Sequence, residues 1–207
     1  MAGLSKRRSA VHNRSNTASV DFRAVFFFTC RTMTENSPLQ HDATPRLSLI
    51  LTRLDNLPAI EASELATHPR ETPLVVLDTN VLFDIWYWND KDAQALKSAI
   101  FENRLRPVST PSCLKEFAVV LTRPHFALSE EEQDRLLTNV LSLTLVTRTS
   151  VEGVVRCRDA DDEKFLNLAF ESRADFLFTK DKNVLRSGRR LAALGIKTQK
   201  PAEFDGL

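Results

Sequence analysis

Four acidic residues stand where a carboxylate could do chemistry. Asp78 closes the apolar run of PLVVLDTNVL, Glu116 lies in SCLKEF, Asp162 in RDADDEKFLNLA and Asp181 in DFLFTKDKN. Each also has an ordinary structural use. Asp78 suits a turn or a helix cap. Glu116 suits the positive field near a helix N-terminus. Asp159 or Asp161 suits the cap of the following helix, with Asp162 in its first turn, and Asp181 suits the cap of the helix after it. Among the three clustered acids Asp162 is chosen for a chemical role. It falls three residues before Phe165 and seven before Ala169, on the inward side of the helix.

If these acids converge, they repel one another, their pKa values rise, and they titrate as a coupled set. A hard divalent cation relieves the repulsion. Oxygen donors without Cys or His select Mg²⁺ or Mn²⁺ over zinc. Such an ion, or a pair of them, can activate water and stabilise the charge of an in-line phosphoryl displacement.

The elements that must position the acids follow from hydrophobic periodicity. Leu74–Leu77 is short, apolar and Val-rich, as a strand buried on both faces should be. It ends on a carboxylate, and ligands collect at the carboxyl ends of strands in open α/β sheets. Asp92 to Asn103 reads as a helix, Arg106 to Ser109 as a strand, and Thr110 or Ser112 as the cap of a helix through Leu121. Pro124 closes that segment. Ser129 and Glu132 form a capping-box pattern opening a helix to about Val140. Leu143 to Val146 is a strand, Asp161 to Ser172 a helix and Asp175 to Thr179 a strand. Helical turns over Lys182 to Leu194 end at Gly195, and Ile196 to Thr198 is a last strand. Strands alternating with helices predict βαβ units and a mostly parallel sheet.

Composition sets the outer bounds. The chain has 207 residues, 43% hydrophobic and 27% charged, with a net charge of +1. Residues 1–32 hold six basic residues and one acidic residue, so they carry +5 and the remainder −4. The body therefore lacks the basic face of a protein that holds nucleic acid by charge alone. Three scattered cysteines (Cys30, Cys113, Cys157) and four scattered histidines give neither a disulfide framework nor a zinc pattern. A reducing, cytoplasmic setting follows, and no apolar run is long enough to cross a membrane.

Residues 1–72 read as an N-terminal extension, 73–201 as the domain and 202–207 as a tail. Residues 1–24 are polar and aperiodic and read as disordered. Ala24 to Cys30 is too short an apolar core for a signal peptide, and a transit peptide or a translation start at Met33 are the other readings of this end. Met33 to Thr72 is linker-like, with Leu47 to Leu54 its one structured-looking piece, a strand or a few helical turns.

The set VLDTNVL, LKEF, RDADDEKFLNLA and DFLFTKDKNVL resembles the PIN-domain family, in particular the bacterial toxin components of toxin–antitoxin systems. The resemblance covers about Pro73 to Pro201. It implies an α/β/α sandwich around a parallel sheet and Mg²⁺- or Mn²⁺-dependent cleavage of RNA. It also implies an acidic quartet of Asp78, Glu116, Asp162 and Asp181 as catalytic metal ligands. Asn80 and Thr179 match supporting polar positions, with Asp159 and Asp161 as auxiliaries. RNA, an antitoxin protein and a second copy of the chain are the implied partners. The sequence departs from that pattern in its long N-terminal extension and in a long loop, Phe83 to Asp92. The loop's Trp86, Tyr87 and Trp88 either stack on bases or pack a helix or dimer contact. Arg104, Arg106, Arg123 and Lys180 are candidate phosphate contacts or solvated surface. Two other classes compete with the nuclease: a non-catalytic PIN-like module that holds RNA or protein, and a phosphate-receiver-like domain, which the Asp-Thr-Asn strand ending does not suit.

Overall fold

Leu74–Leu77 (β2) is a strand with all four residues buried. In the computed structural model, which describes residues 45–67 and 69–206, it is the pivot of a six-stranded sheet ordered β1-β4-β3-β2-β5-β6. The other strands are Ile60–Glu61 (β1), Arg106–Ser109 (β3), Leu145–Arg148 (β4), Phe176–Phe178 (β5) and Lys197–Gln199 (β6). Every pairing among the described residues is parallel. Parallel neighbours require crossovers, and helices supply them: Thr79–Trp86 (α3), Gln94–Phe101 (α4), Pro111–Leu121 (α5), Glu130–Leu143 (α6), Glu163–Ser172 (α7) and Lys182–Gly188 (α8). Helices flank the sheet, which gives both the parallel sheet that the alternating pattern predicts and the α/β/α sandwich that the resemblance implies.

Sheet order decides where a ligand can sit. The chain moves from β2 through β3 to β4 on one side, then returns to the other side of β2 for β5 and β6. Strand order therefore reverses at β2, and the crevice beyond its carboxyl end is the switch point where such sheets take ligands. Side-chain alternation builds the core around it. Leu74 and Val76 join Ala62, Phe165, Leu166, Ala169, Val184 and Ile196 in one buried cluster.

Local chemistry fixes the crossover helices. The Thr110 side chain accepts from the Cys113 N–H and caps α5. Ser129 and Glu132 make both bonds of the capping box that opens α6. Gly195 sits at φ 79°, a left-handed turn between the last helical turns and β6.

Three readings need correction. The first concerns Met33 to Thr72. Of this stretch, residues 45–67 are folded as a helix, Pro45–Asp55 (α1), the edge strand β1 and a second helix, Ala62–Thr67 (α2). Long-range polar contacts hold α1: Arg46 donates to Gln133 Oε1 at 2.9 Å and to Asp134 Oδ1 at 2.6 Å, and Asp55 pairs with Lys115 at 2.5 Å. A two-residue strand such as β1 leaves no period to detect. Readings for residues 1–44 lie outside the described residues. The second correction is Phe83 to Asp92, whose first residues complete α3. Thr79 through Ile85 are all buried, the polar Thr79, Asn80 and Asp84 included, so this helix lacks the solvent-facing polar side that an amphipathic period displays. The third is that Asp162, not Asp159 or Asp161, occupies the N-cap position of α7.

Candidate active site

Asp78 leaves the sheet as the last ladder donor of β2, its N–H bonded to the Phe178 carbonyl at 3.0 Å. It stands at the N-cap position of α3 yet makes no capping bond, and it is 3% exposed. Its carboxylate is instead held by two neighbours. Asn80 Nδ2 donates to Oδ2 at 2.7 Å and Thr179 Oγ1 to the same oxygen at 2.5 Å. Both donors converge on Oδ2, which leaves Oδ1 for another partner.

The same two residues tie in the loop after β5. Thr179 Oγ1 accepts from the Asp181 N–H at 2.9 Å, and Asn80 Oδ1 accepts from the Lys180 N–H at 3.2 Å. Asp181 caps α8 through Oδ1, which accepts from the N–H groups of Asn183 (2.6 Å) and Val184 (3.0 Å). Its structural use is therefore real, and it engages one oxygen.

Glu116 lies in the second turn of α5, where Lys164 Nζ approaches its Oε2 at 2.5 Å. Asp162 makes no capping bond, while Asp159 Oδ1 accepts from the Asp161 N–H at 3.1 Å and shapes the turn before α7. Burial raises the Asp78 carboxyl to about 7, with Glu116 and Asp181 adding repulsion against the hydrogen bonds from Thr179 and Asn80. Burial raises Asp162 to about 8, helped by Asp78, Asp159, Asp181 and Glu116. The four acids thus share one electrostatic neighbourhood at the switch point.

Periodicity did not single out several residues that shape this region. Glu163, Asn167 and Glu171 recur every fourth position on α7 and clasp the segment before it. Glu171 accepts from Ser150 and Val151, Asn167 from the Val155 N–H at 3.0 Å, and Glu163 from the Cys157 N–H at 3.0 Å. That four-residue polar spacing is the signal that could have found them. Lys180 is bound by Asp84 at 2.5 Å and Asp90 at 3.1 Å, two side chains only 1% exposed, so it anchors the β5 loop. Arg104 pairs with Glu102, and Arg106 opens β3 at the sheet edge opposite the carboxylates. Tyr87 and Trp88 pack against Phe83 and Phe126, and Trp86 against Phe101. These rings therefore build a local aromatic cluster.

Among the described residues no three His, Cys, Asp or Glu side chains form a ready-made metal cage. Lys164 engages one of the four acids, Glu116. The donor chemistry still suits a hard cation: oxygens only, a buried Asp78 with one oxygen left over, and two carboxyls, Asp78 and Asp162, whose protons are held first by burial and then by repulsion from the neighbouring acids. Asp78, Glu116, Asp162 and Asp181 are the residues that would hold it.

The acids gathered beyond the pivot strand place the candidate site at the switch point of a parallel α/β sandwich. The sequence profile of the PIN domain family matches residues 74–183, just over half of the 207-residue chain and all four acids, so this protein belongs to the PIN domain family. PIN domains are generally nucleases. The chain is also 30% identical over 138 residues to the uncharacterized protein MJ1680 of the archaeon Methanocaldococcus jannaschii, covering 63% of this chain and 88% of that protein. No helix among the described residues is long and apolar enough to cross a membrane.

Proposed function

We propose that this protein is a Mg²⁺- or Mn²⁺-dependent endoribonuclease. Asp78 and Asp162 are its principal metal ligands, and Glu116 and Asp181 are ligands or water-positioning groups. The observation that carries this reading is the buried Asp78 carboxylate, held through Oδ2 alone, with three further acids in electrostatic reach. When bound, the ion supplies an activated water and screening of the phosphoryl charge. The chain's own residues do the rest. Asn80 and Thr179 fix the rotamer of Asp78, and Thr179 couples it to Asp181 through that residue's N–H. The α7 clasp sets the approach of the segment that carries Asp159 and Asp162. In its biological form the enzyme is a cytoplasmic toxin of a toxin–antitoxin pair. It is silenced by an antitoxin segment over the carboxylates and acts as a homodimer on RNA.

Thr179→Val keeps the shape of the side chain and removes both hydrogen bonds. Loss of an outer-shell partner of this kind is expected to lower Mn²⁺ affinity and kcat/KM by roughly 10- to 100-fold. Calorimetry and a cleavage assay on the same preparation check both.

One observation favours a second reading, a non-catalytic PIN-like module. Glu116 is already paired with Lys164. Incubation of a labelled RNA of mixed structure with Mn²⁺, Mg²⁺ or EDTA separates the two. Metal-dependent internal cleavage supports the nuclease, and RNA retention without cleavage in either metal supports the module.

A further inference from the structure

Lys164 does not sit with the other lysines. Its Nζ lies 2.5 Å from Glu116 Oε2, donates to the Asp161 carbonyl at 2.5 Å and rests 5.1 Å over the Phe165 ring. Both partners are half-sheltered, with the Lys164 side chain 22% and the Glu116 side chain 28% exposed. The other paired lysines differ. Lys115 meets Asp55 of α1, a residue outside the cluster, and Lys180 is fixed by the deeply buried Asp84 and Asp90. Among the described residues, Lys164 is the lysine whose ion-pair partner belongs to the acidic quartet.

We propose that Lys164 is a built-in counter-cation of the carboxylate cluster: it holds Glu116 in the metal-free protein and yields it when a divalent ion enters. The inference rests on reading the cluster as a metal site and adds how that site is held between loadings. Four converging carboxylates without a cation are costly, and a single ammonium inside the group offsets part of that cost. The pair is nonetheless partly solvated, and such pairs are weak. A dication with two charges and a preference for carboxylate oxygen displaces it. The released ammonium is a compact charge on a flexible four-carbon stem. It remains beside the Asp161 carbonyl, where an anionic phosphate of the substrate can meet it. Metal affinity in the native protein is therefore set below what the carboxylates alone would give.

The test is calorimetric titration of Mn²⁺ into the full-length protein, Lys164→Met and Lys164→Arg. Removing the competitor is expected to tighten Mn²⁺ binding in Lys164→Met by about threefold to tenfold, with Lys164→Arg close to the native protein. A second measurement uses the native chain alone: limited acetylation with site-resolved mass spectrometry. Lys164 should react faster at saturating Mn²⁺, while Lys115 keeps its rate. Unchanged Lys164 labelling at saturating Mn²⁺ overturns the proposal, as does Mn²⁺ affinity that is equal or weaker in folded Lys164→Met. Should Lys164→Met not fold, the labelling result decides alone. Native protein that takes up no Mn²⁺ removes the metal reading itself, an outcome distinct from either failure above.

Discussion

Asp162→Asn is expected to abolish cleavage while making the metal-free protein more stable. A ligand that contributes charge to the metal site cannot be replaced by a neutral amide without losing most of the rate, about a thousandfold or more. Stability should move the other way. Asp162 makes no capping bond that the amide would forfeit. Its carboxylate is opposed by burial and then by Asp78, Asp159, Asp181 and Glu116. Removing that repulsion at about pH 8 should gain roughly 1–2 kcal/mol, allowing for partial solvent screening. Thermal melts in EDTA and cleavage assays in Mn²⁺ read the two effects separately. A variant that loses activity and stability together would show that Asp162 serves the fold, as a cap residue does.

The metal-free protein is expected to lose stability as pH rises from about 5 to about 8, and Mn²⁺ should return it. Asp78 and Asp162 release their protons near pH 4 in the unfolded chain but only at about 7 and about 8 in the folded one. Between those limits the folded state binds more protons, so each step up in pH favours unfolding. Their contribution is complete below the unfolded pKa and is gone above the folded values. For fully buried Asp78 alone the change is of the order of a few kcal/mol. Metal requires the ionised carboxylates, so its stabilisation has the opposite slope. The increase in Tm on adding Mn²⁺ should be several degrees larger at about pH 8 than at about pH 6. An equal increase at both would mean that the ion binds without displacing those protons.

The parallel sheet was legible because its strands are short apolar runs between turn residues, and helices with one buried face separate them. Leu74–Leu77 and Arg106–Ser109 match the observed strands residue for residue. The capping box at Ser129 is a pattern whose bonds are local, so sequence spacing alone determines it. Three things were hidden. α3 buries its polar residues Thr79, Asn80 and Asp84 along with its apolar ones, so no solvent-facing polar side marked it as a helix. The full extent of α1, of which only Leu47 to Leu54 read as a strand or helical turns, and all of β1 depend on partners far along the chain, such as Gln133 for Arg46 and Thr147 opposite Ile60. Lys180 read as a phosphate contact or solvated surface, and neither its pairing with Asp84 and Asp90 nor that of Lys164 with Glu116 was legible, because nothing local reveals which acid a lysine meets across the fold. At the carboxylates, spacing put Asp78 and Asp181 at strand ends. That Thr179 links them needed the register of β2 against β5.

The account stands on the carboxylates binding a divalent ion together. Mn²⁺ titration followed by electron paramagnetic resonance measures this directly, at about pH 8, on the full-length protein and on Asp78→Asn, Glu116→Gln, Asp162→Asn and Asp181→Asn. The predicted result is uptake by the native protein that weakens in every variant, by about tenfold or more in Asp78→Asn and Asp162→Asn. Native protein that binds no Mn²⁺, or variants that all bind it as the native protein does, would contradict the account.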